Sequence, residues 1–126
     1  MKTILICLLA AFSITCFGQA TTVVGNSVST NSLVVSSNPD AKLYAVLGYN
    51  GTGSTEFVQV FSGSVVPASG SVPIFSMPVQ GYSAYSYDFS YYGANLDGIT
   101  VCISTTANSL TLASASSTIQ AIVQNR

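Results

Sequence analysis

Side chains able to support chemistry are scarce in this chain of 126 residues. It has no His, three Cys, four Asp/Glu and three Lys/Arg. General acid–base catalysis at neutral pH depends on His, or on carboxylates and lysines with shifted pKa values. No Ser lies in a Gly-x-Ser-x-Gly motif, and without His there is no base for a catalytic triad. Zinc and copper also lack ligands. Two of the three Cys lie within the first 16 residues, so the rest of the chain offers one Cys and no His.

Carboxylates are the remaining route to catalysis or metal binding. Glycoside hydrolysis needs two of them close together, and the candidate pairs are Asp88 with Asp97 or with Glu56. The segment Asn95-Leu96-Asp97-Gly98 resembles part of a calcium loop, but it lacks the acidic density and the closing Glu. We interpret it as a tight turn. The sequence therefore predicts a protein that is not an enzyme and that binds no cofactor and no metal.

The most distinctive local pattern is aromatic. Tyr85, Tyr87, Phe89 and Tyr91 alternate, so in an extended strand they point to one side. Because Tyr combines apolar area with a polar tip, an exposed stripe could stack on sugars or on a partner protein. The candidate binding residues are Tyr85, Tyr87, Tyr91 and Tyr92. The alternative is that Phe89 and some of the tyrosines fill a core, with their hydroxyls at its rim.

The N-terminus has the pattern of an export signal. A Lys at position 2 precedes an apolar run from Ile4 to Phe12, and small or polar residues follow. We predict a signal peptide over residues 1–18, with cleavage after Gly18 or after Ala20. A membrane anchor is an alternative, but the run is shorter than the roughly 18–20 residues that cross a bilayer. A lipidated Cys16 is a third interpretation. Cleavage predicts an exported protein, secreted, at the cell surface or in a virion, with no membrane span in its mature form.

Cleavage leaves Cys102 as the single cysteine, so the exported domain forms no internal disulfide. In the run Ile99–Ser104, Cys102 lies on the face opposite Ile99, Val101 and Ile103. We predict a small buried side chain in a second packed layer. An intermolecular disulfide is the alternative.

The composition favours a folded domain that does not bind nucleic acid. The chain is 48% hydrophobic and 6% charged, with seven Tyr and six Phe. Disordered chains are charge-rich and poor in such residues. Nucleic-acid binding needs several Lys or Arg on one face, and only three are present in total.

Short β-rich runs alternate with turns at intervals of about 8–12 residues, which is typical of a sandwich or barrel. We predict an all-β fold: a single antiparallel β-sandwich, jelly-roll or Ig-like, of about seven to eight strands over residues 33–126. Residues 19–32 are interpreted as a leader or a weak first strand. The predicted strands are Leu33–Ser36, Ala41–Tyr49, Glu56–Ser62, Val72–Val79, Tyr82–Tyr92, Ile99–Thr105, Leu110–Ala113 and Ser117–Val123.

Some strands carry more specific expectations. Alternation in Ala41–Tyr49 places Leu43, Ala45, Leu47 and Tyr49 on one face. In Ser117–Val123, residues Ile119, Ala121 and Val123 share a face. Asn50-Gly51 then predicts a type I′ hairpin to the next strand. That strand, Glu56–Ser62, has two apolar faces, so it is buried on both sides or lies at a subunit contact. Val72–Val79 contains Pro73 and Pro78, which indicates an edge or bulged strand. Residues 93–98 are expected to form a loop.

Short turn and strand-edge motifs follow one another from Phe57 onward. They are Val60-Phe61, Pro67-Ala68-Ser69-Gly70-Ser71-Val72-Pro73, Met77-Pro78-Val79, Asp88-Phe89, Tyr92-Gly93, Gly98-Ile99, Ser104-Thr105-Thr106, Thr111 and Ala121. In this series, over about half of the chain, the sequence resembles a small domain of bacteriophage virion-associated and prophage-encoded structural proteins. The resemblance implies an all-β fold and a structural or surface role, and it transfers no catalytic residues.

Two functions follow as hypotheses. The first is a non-catalytic exported structural or assembly module, virion-associated or at the cell surface, which self-associates or binds another surface or virion protein. The second is a secreted module that binds a glycan or a surface partner through the Tyr-rich strand.

Overall fold

The computed structural model describes residues 21–89 and 93–124. The predicted signal peptide and the candidate residues Tyr91 and Tyr92 lie outside these ranges. Within them no helix is long and apolar enough to cross a membrane. The strands are β1 (Thr21–Thr30), β2 (Ser32–Ser36), β3 (Ala41–Tyr49), β4 (Glu56–Ser62), β5 (Phe75–Val79), β6 (Ala84–Asp88), β7 (Ala94–Leu96), β8 (Ile99–Ser104) and β9 (Ser117–Gln124).

The strands form two antiparallel sheets. Sheet A has the order β1-β9-β3-β6, with the short β7 also paired to β3, and sheet B has the order β2-β8-β4-β5. The pairs β1–β9, β2–β8, β3–β6 and β4–β5 are nested along the chain and alternate between the two sheets. This is a double ribbon rolled up on itself, which is the jelly-roll arrangement. The predicted all-β sandwich is confirmed, and its topology is the jelly roll.

The core lies between the inner faces of the two sheets. β9 contributes alternate residues, Ile119, Ala121 and Val123, all fully buried. Burying a side chain of Val or Ile size stabilises the fold by about 1.5–3 kcal/mol relative to leaving it in water. The predicted face of this strand is therefore confirmed.

A second, smaller cluster lies on the outer face of sheet B. Phe61 of β4 and Cys102 of β8 pack there against Leu110. The Gln59 amide holds the covering segment, because its Nε2 donates to the carbonyl oxygens of Thr106 and Ala107 at 2.7 and 3.1 Å. Cys102 is a free thiol, buried as expected. The burial of β4 on both faces is confirmed, and the cover comes from residues 105–112 of the same chain.

The predicted hairpin at Asn50-Gly51 is wrong. β3 lies in sheet A and β4 in sheet B, so the chain crosses between sheets here. Neither residue adopts the positive φ that a type I′ turn needs. Asn50 is instead buried, and its Nδ2 donates to the carbonyl oxygens of Ser54 and Gln80 at 2.9 and 3.1 Å. The side chain satisfies backbone groups of the crossing.

The expected alternation of β3 fails at a bulge. The pairing with β9 shifts between Leu43 and Ala45, which leaves Tyr44 without an opposite residue. A bulge adds one residue to a strand, so the face pointing inward changes parity beyond it. The buried residues are consequently Leu43 and Val46, whereas Ala45 and Leu47 are only half-buried and Tyr49 is exposed.

Three further expectations concern loops and edges. β5 is the outermost strand of sheet B, as the prolines predicted. Residues 110–113, which the structure describes, do not form the expected strand. A single bridge joins Ser104 to Leu112 there. The expected loop at residues 93–98 contains the three-residue β7.

Candidate interaction surfaces

Tyr85 belongs to the core rather than to the surface. It is 8% exposed, and its hydroxyl donates to the carbonyl oxygen of Thr118 at 2.8 Å. Gly48, opposite it on β3, makes room: a Cβ there would lie 2.6 Å from the Tyr85 hydroxyl oxygen. Burial, reinforced by Tyr87 and then by Glu56, raises the pKa of Tyr85 well above its usual 10.0. For Tyr85 the core alternative of the sequence analysis is the one observed.

Tyr87 and Phe89 connect the two sheets along one side of the sandwich. The Tyr87 hydroxyl donates to the carbonyl oxygen of Pro78 on β5. Its ring stacks on Tyr85, with centroids 6.0 Å apart, and partial burial raises its pKa. Phe89 packs against Phe75 of β5 at a centroid distance of 4.9 Å. These contacts close the side where β5 and β6 run next to each other.

A shallow groove remains beside these contacts. It has a volume of about 420 Å³, and its lining includes Pro78, Gln80, Ser83, Ser86 and Tyr87. Amide and hydroxyl groups next to an aromatic ring are the chemistry that recognises a sugar. The structure thus brings two of the four candidate residues, Tyr85 and Tyr87, to one groove, although Tyr85 offers little surface. Binding by the tyrosines stays a prediction.

The carboxylates are not arranged for glycoside hydrolysis. Glu56 is buried and accepts a hydrogen bond from the Ser117 hydroxyl at 3.1 Å, whereas Asp88 is exposed at the end of β6. Asp88 pairs with Ala45 on β3, and Asp97 lies beyond the residue that pairs with Ala41. Four residues of strand separate these positions by about 13 Å, more than the roughly 5–9.5 Å that glycosidase carboxylates need. These candidate pairs are therefore wrong.

The Asp97 segment also lacks the features of a metal site. Asp97 and Asp40 line the same open cleft of about 390 Å³, together with Asn95. No cluster of three His, Cys, Asp or Glu occurs among the residues described. Gly98 has a φ of 72°, which fits the predicted tight turn.

Among the residues that the structure describes, β1 has no partner strand on its outer side, a feature that the sequence analysis did not single out. β1 is the outermost strand of sheet A, and its ten residues contain neither a charge nor a proline. In an antiparallel strand, backbone N–H and C=O groups alternate between its two sides. Half of the backbone N–H and C=O groups of β1 therefore point away from β9. The clue in the sequence was its content of Thr and Val, residues that favour strands.

The other three edges are modified. In β5, Pro78 lacks an N–H and its carbonyl accepts the Tyr87 hydroxyl. β6 ends in Asp88. β2 has only five residues, and it is preceded by Asn31, whose Nδ2 donates to the carbonyl oxygen of Ala113 at 2.9 Å. Short strands, prolines and charges are the devices that discourage pairing with another chain. β1 has none of them.

The outer face of sheet A next to this edge is partly apolar. Val23 of β1 is 64% exposed, and it lies opposite Ile122 of β9, which in turn lies opposite Ala45 of β3. Ile122 and Ala45 are half-buried. A row of apolar side chains therefore crosses three strands and ends at the open edge.

Comparisons with known proteins add little to this geometry. No protein-family model matches the chain, and a search of curated proteins found no match. Among solved structures, the coat protein of Tobacco streak virus is similar, with 15% sequence identity and a TM-score of 0.40 over 90% of this chain and 91% of that one. At that level of similarity neither a shared family nor a shared function follows.

Proposed function

We propose that this chain is a non-catalytic structural module that assembles with other protein through the β1 edge of sheet A. The observation that carries the proposal is the contrast between β1 and the other three edges. A long edge without charge or proline offers a row of unpaired hydrogen-bonding groups to another strand. In the proposal the module is exported and forms part of a virion or of a surface layer.

The charge content supports the same function. Only 6% of the residues are charged, and the formal net charge is −1. Copies that meet edge to edge then experience little electrostatic repulsion. An assembling module benefits from this, whereas a freely diffusing protein gains solubility from a larger net charge.

The proposal is tested by the molar mass of the secreted protein in solution. We expect size-exclusion chromatography with light scattering to show oligomers whose mass grows with protein concentration. A strict monomer at high concentration would contradict assembly. Intact mass of the same sample tests export, because it distinguishes cleavage after Gly18, cleavage after Ala20 and a lipidated Cys16.

A second candidate function is glycan binding in the groove between β5 and β6. Tyr87 favours it, since its half-buried ring lines that groove beside Gln80 and Ser83. The sharpest variant is Tyr87→Ala, because Tyr85→Ala would remove a core side chain. Tyr49→Ala, on the outer face of sheet A, is the matched control. Loss of glycan-array binding in the first variant alone would support this function, and a parent protein that binds no glycan would remove it.

A further inference from the structure

We infer that the strand occupying the β1 edge is β1 of a second copy, paired antiparallel across a twofold axis that passes beside Val23 or Val24. The inference rests on the proposed function and names the partner. It gives one continuous sheet with the strand order β6-β3-β9-β1-β1-β9-β3-β6.

The position of the axis follows from the register of β1. Pairing with β9 is regular from Thr21 to Asn26, and an irregularity follows between Asn26 and Thr30. A bulge twists a strand and interrupts pairing, so the regular segment is the part able to accept another strand. A twofold axis perpendicular to the sheet pairs residues that share a face. An axis at the middle of this segment therefore places Val23 opposite Val23, or Val24 opposite Val24.

A second copy fits this edge because β1 is compatible with itself. A twofold interface places the same surface on both sides, so any charge near the axis would lie close to the same charge of the second copy. β1 carries no charge. Like charges opposite each other destabilise a sheet. Strand β6, at the other edge of sheet A, has only five residues and ends in a charge, Asp88, and both features discourage pairing with another strand.

The apolar row on the outer face gives a second reason. It runs from Ala45 through Ile122 to Val23, the most exposed of the three. In the paired form, Val23 of one copy lies opposite or diagonally opposite Val23 of the other. These positions are within about 8 Å, close enough for side chains to interact across strands. The row continues into the second copy, and the exposed Val23 gains an apolar neighbour.

The test uses opposite charges at one position. Val23→Lys and Val23→Glu are made in the full chain, and the secreted proteins are compared with the parent by size-exclusion chromatography with light scattering. We expect each variant alone to have half the mass of the parent dimer, because like charges meet at the axis. An equimolar mixture of the two should recover the dimer mass. Ser86→Lys, on β6, is the control and should keep the parent mass.

Far-ultraviolet circular dichroism checks that the variants fold. We expect them to fold, because the Val23 side chain is exposed. If Val23→Lys and Val23→Glu keep the parent mass, or if their mixture remains monomeric, the β1–β1 pairing is wrong while assembly through another surface stands. If the parent itself is a monomer at every concentration, the inference and the proposed function both fail. Cover of the edge by the same chain gives this last outcome, because the edge is then closed to any other protein.

Discussion

The two sheets differ in what covers their outer faces. In sheet B, all six residues of β8 are buried, because residues 105–112 cover the side that faces away from the core. In sheet A, β9 alternates strictly between buried and half-buried residues. The central strand of sheet B is therefore enclosed by its own chain, and that of sheet A is enclosed on one face only.

The edges repeat this difference. Sheet B ends at β5, where Pro78 has no N–H and its carbonyl oxygen accepts the Tyr87 hydroxyl. Sheet A ends at β1, which has no such protection. An antiparallel sheet commonly has one solvated face, but a ten-residue edge strand without a charge or a proline is unusual. The comparison shows that, among the residues described, sheet B is covered on its outer face by its own chain, whereas sheet A keeps an outer face and an edge exposed.

The largest effect is expected from removing the cover of sheet B. Leu110→Ala deletes a fully buried side chain from the cluster with Phe61 and Cys102. We expect the free energy of unfolding to fall by about 2–5 kcal/mol, since the loss combines transfer and cavity terms. Leu112→Ala is the matched control. Leu112 is 42% exposed, and we expect a loss below about 1 kcal/mol. Urea denaturation of both variants measures the difference.

Cys102 reports on the same cover directly. Burial raises the pKa of its thiol to about 11, so the thiolate that reacts with disulfide reagents is scarce and shielded. Labelling of Cys102 should be slow in the parent and in Leu112→Ala, and faster in Leu110→Ala. Equal labelling rates in all three proteins would show that residues 105–112 do not protect sheet B.

Several expectations that depended on short-range pattern agree with the structure. The alternation of β9 and the two-sided burial of β4 can be predicted from consecutive residues, because a strand places every second side chain on one face. Pro78 likewise restricts β5 to an edge through its missing N–H. The second layer at Cys102 followed from the same reasoning, since apolar residues on both faces of a strand require two covers.

Expectations that depended on distant partners failed. The bulge at Tyr44 exists only in relation to β9, so the residues of β3 alone gave no sign of it. Asn50 was interpreted as a turn residue, but its amide binds the carbonyl of Gln80, thirty residues away. The carboxylate pairs of the sequence analysis failed for the same reason, because Glu56 faces the core. The open edge at β1 depends on the order of strands in the sheet, which local pattern does not specify.

A moderate effect is expected from Tyr85, which lies in the core between the sheets. Tyr85→Phe removes the hydrogen bond to Thr118 and should cost about 1–2 kcal/mol at neutral pH. Burial raises the pKa of Tyr85 in the folded state above the usual 10.0 of an unfolded chain. The parent is therefore most stable below pH 10 and loses stability as the pH rises above it, because the unfolded state releases the proton first.

Tyr85→Phe should reduce that loss at high pH. Tyr87→Phe is the control, since Tyr87 is less buried and its pKa is raised by the same cause. Unfolding curves in urea between pH 8 and about 11 measure both slopes. A slope that Tyr87→Phe reduces more than Tyr85→Phe does would contradict the placement of Tyr85 in the core.

The smallest effect is expected on the open face of sheet A. Tyr49 is 43% exposed there, and its backbone N–H, which a substitution retains, donates to the Thr118 hydroxyl oxygen at 3.0 Å. Tyr49→Thr keeps a strand-favouring residue, so the free energy of unfolding should change by less than about 0.5 kcal/mol. Urea denaturation at protein concentrations low enough to keep the chain monomeric is the measurement. A loss as large as that of Leu110→Ala would mean that the outer face of sheet A also contributes to the core, and the difference between the two sheets would disappear.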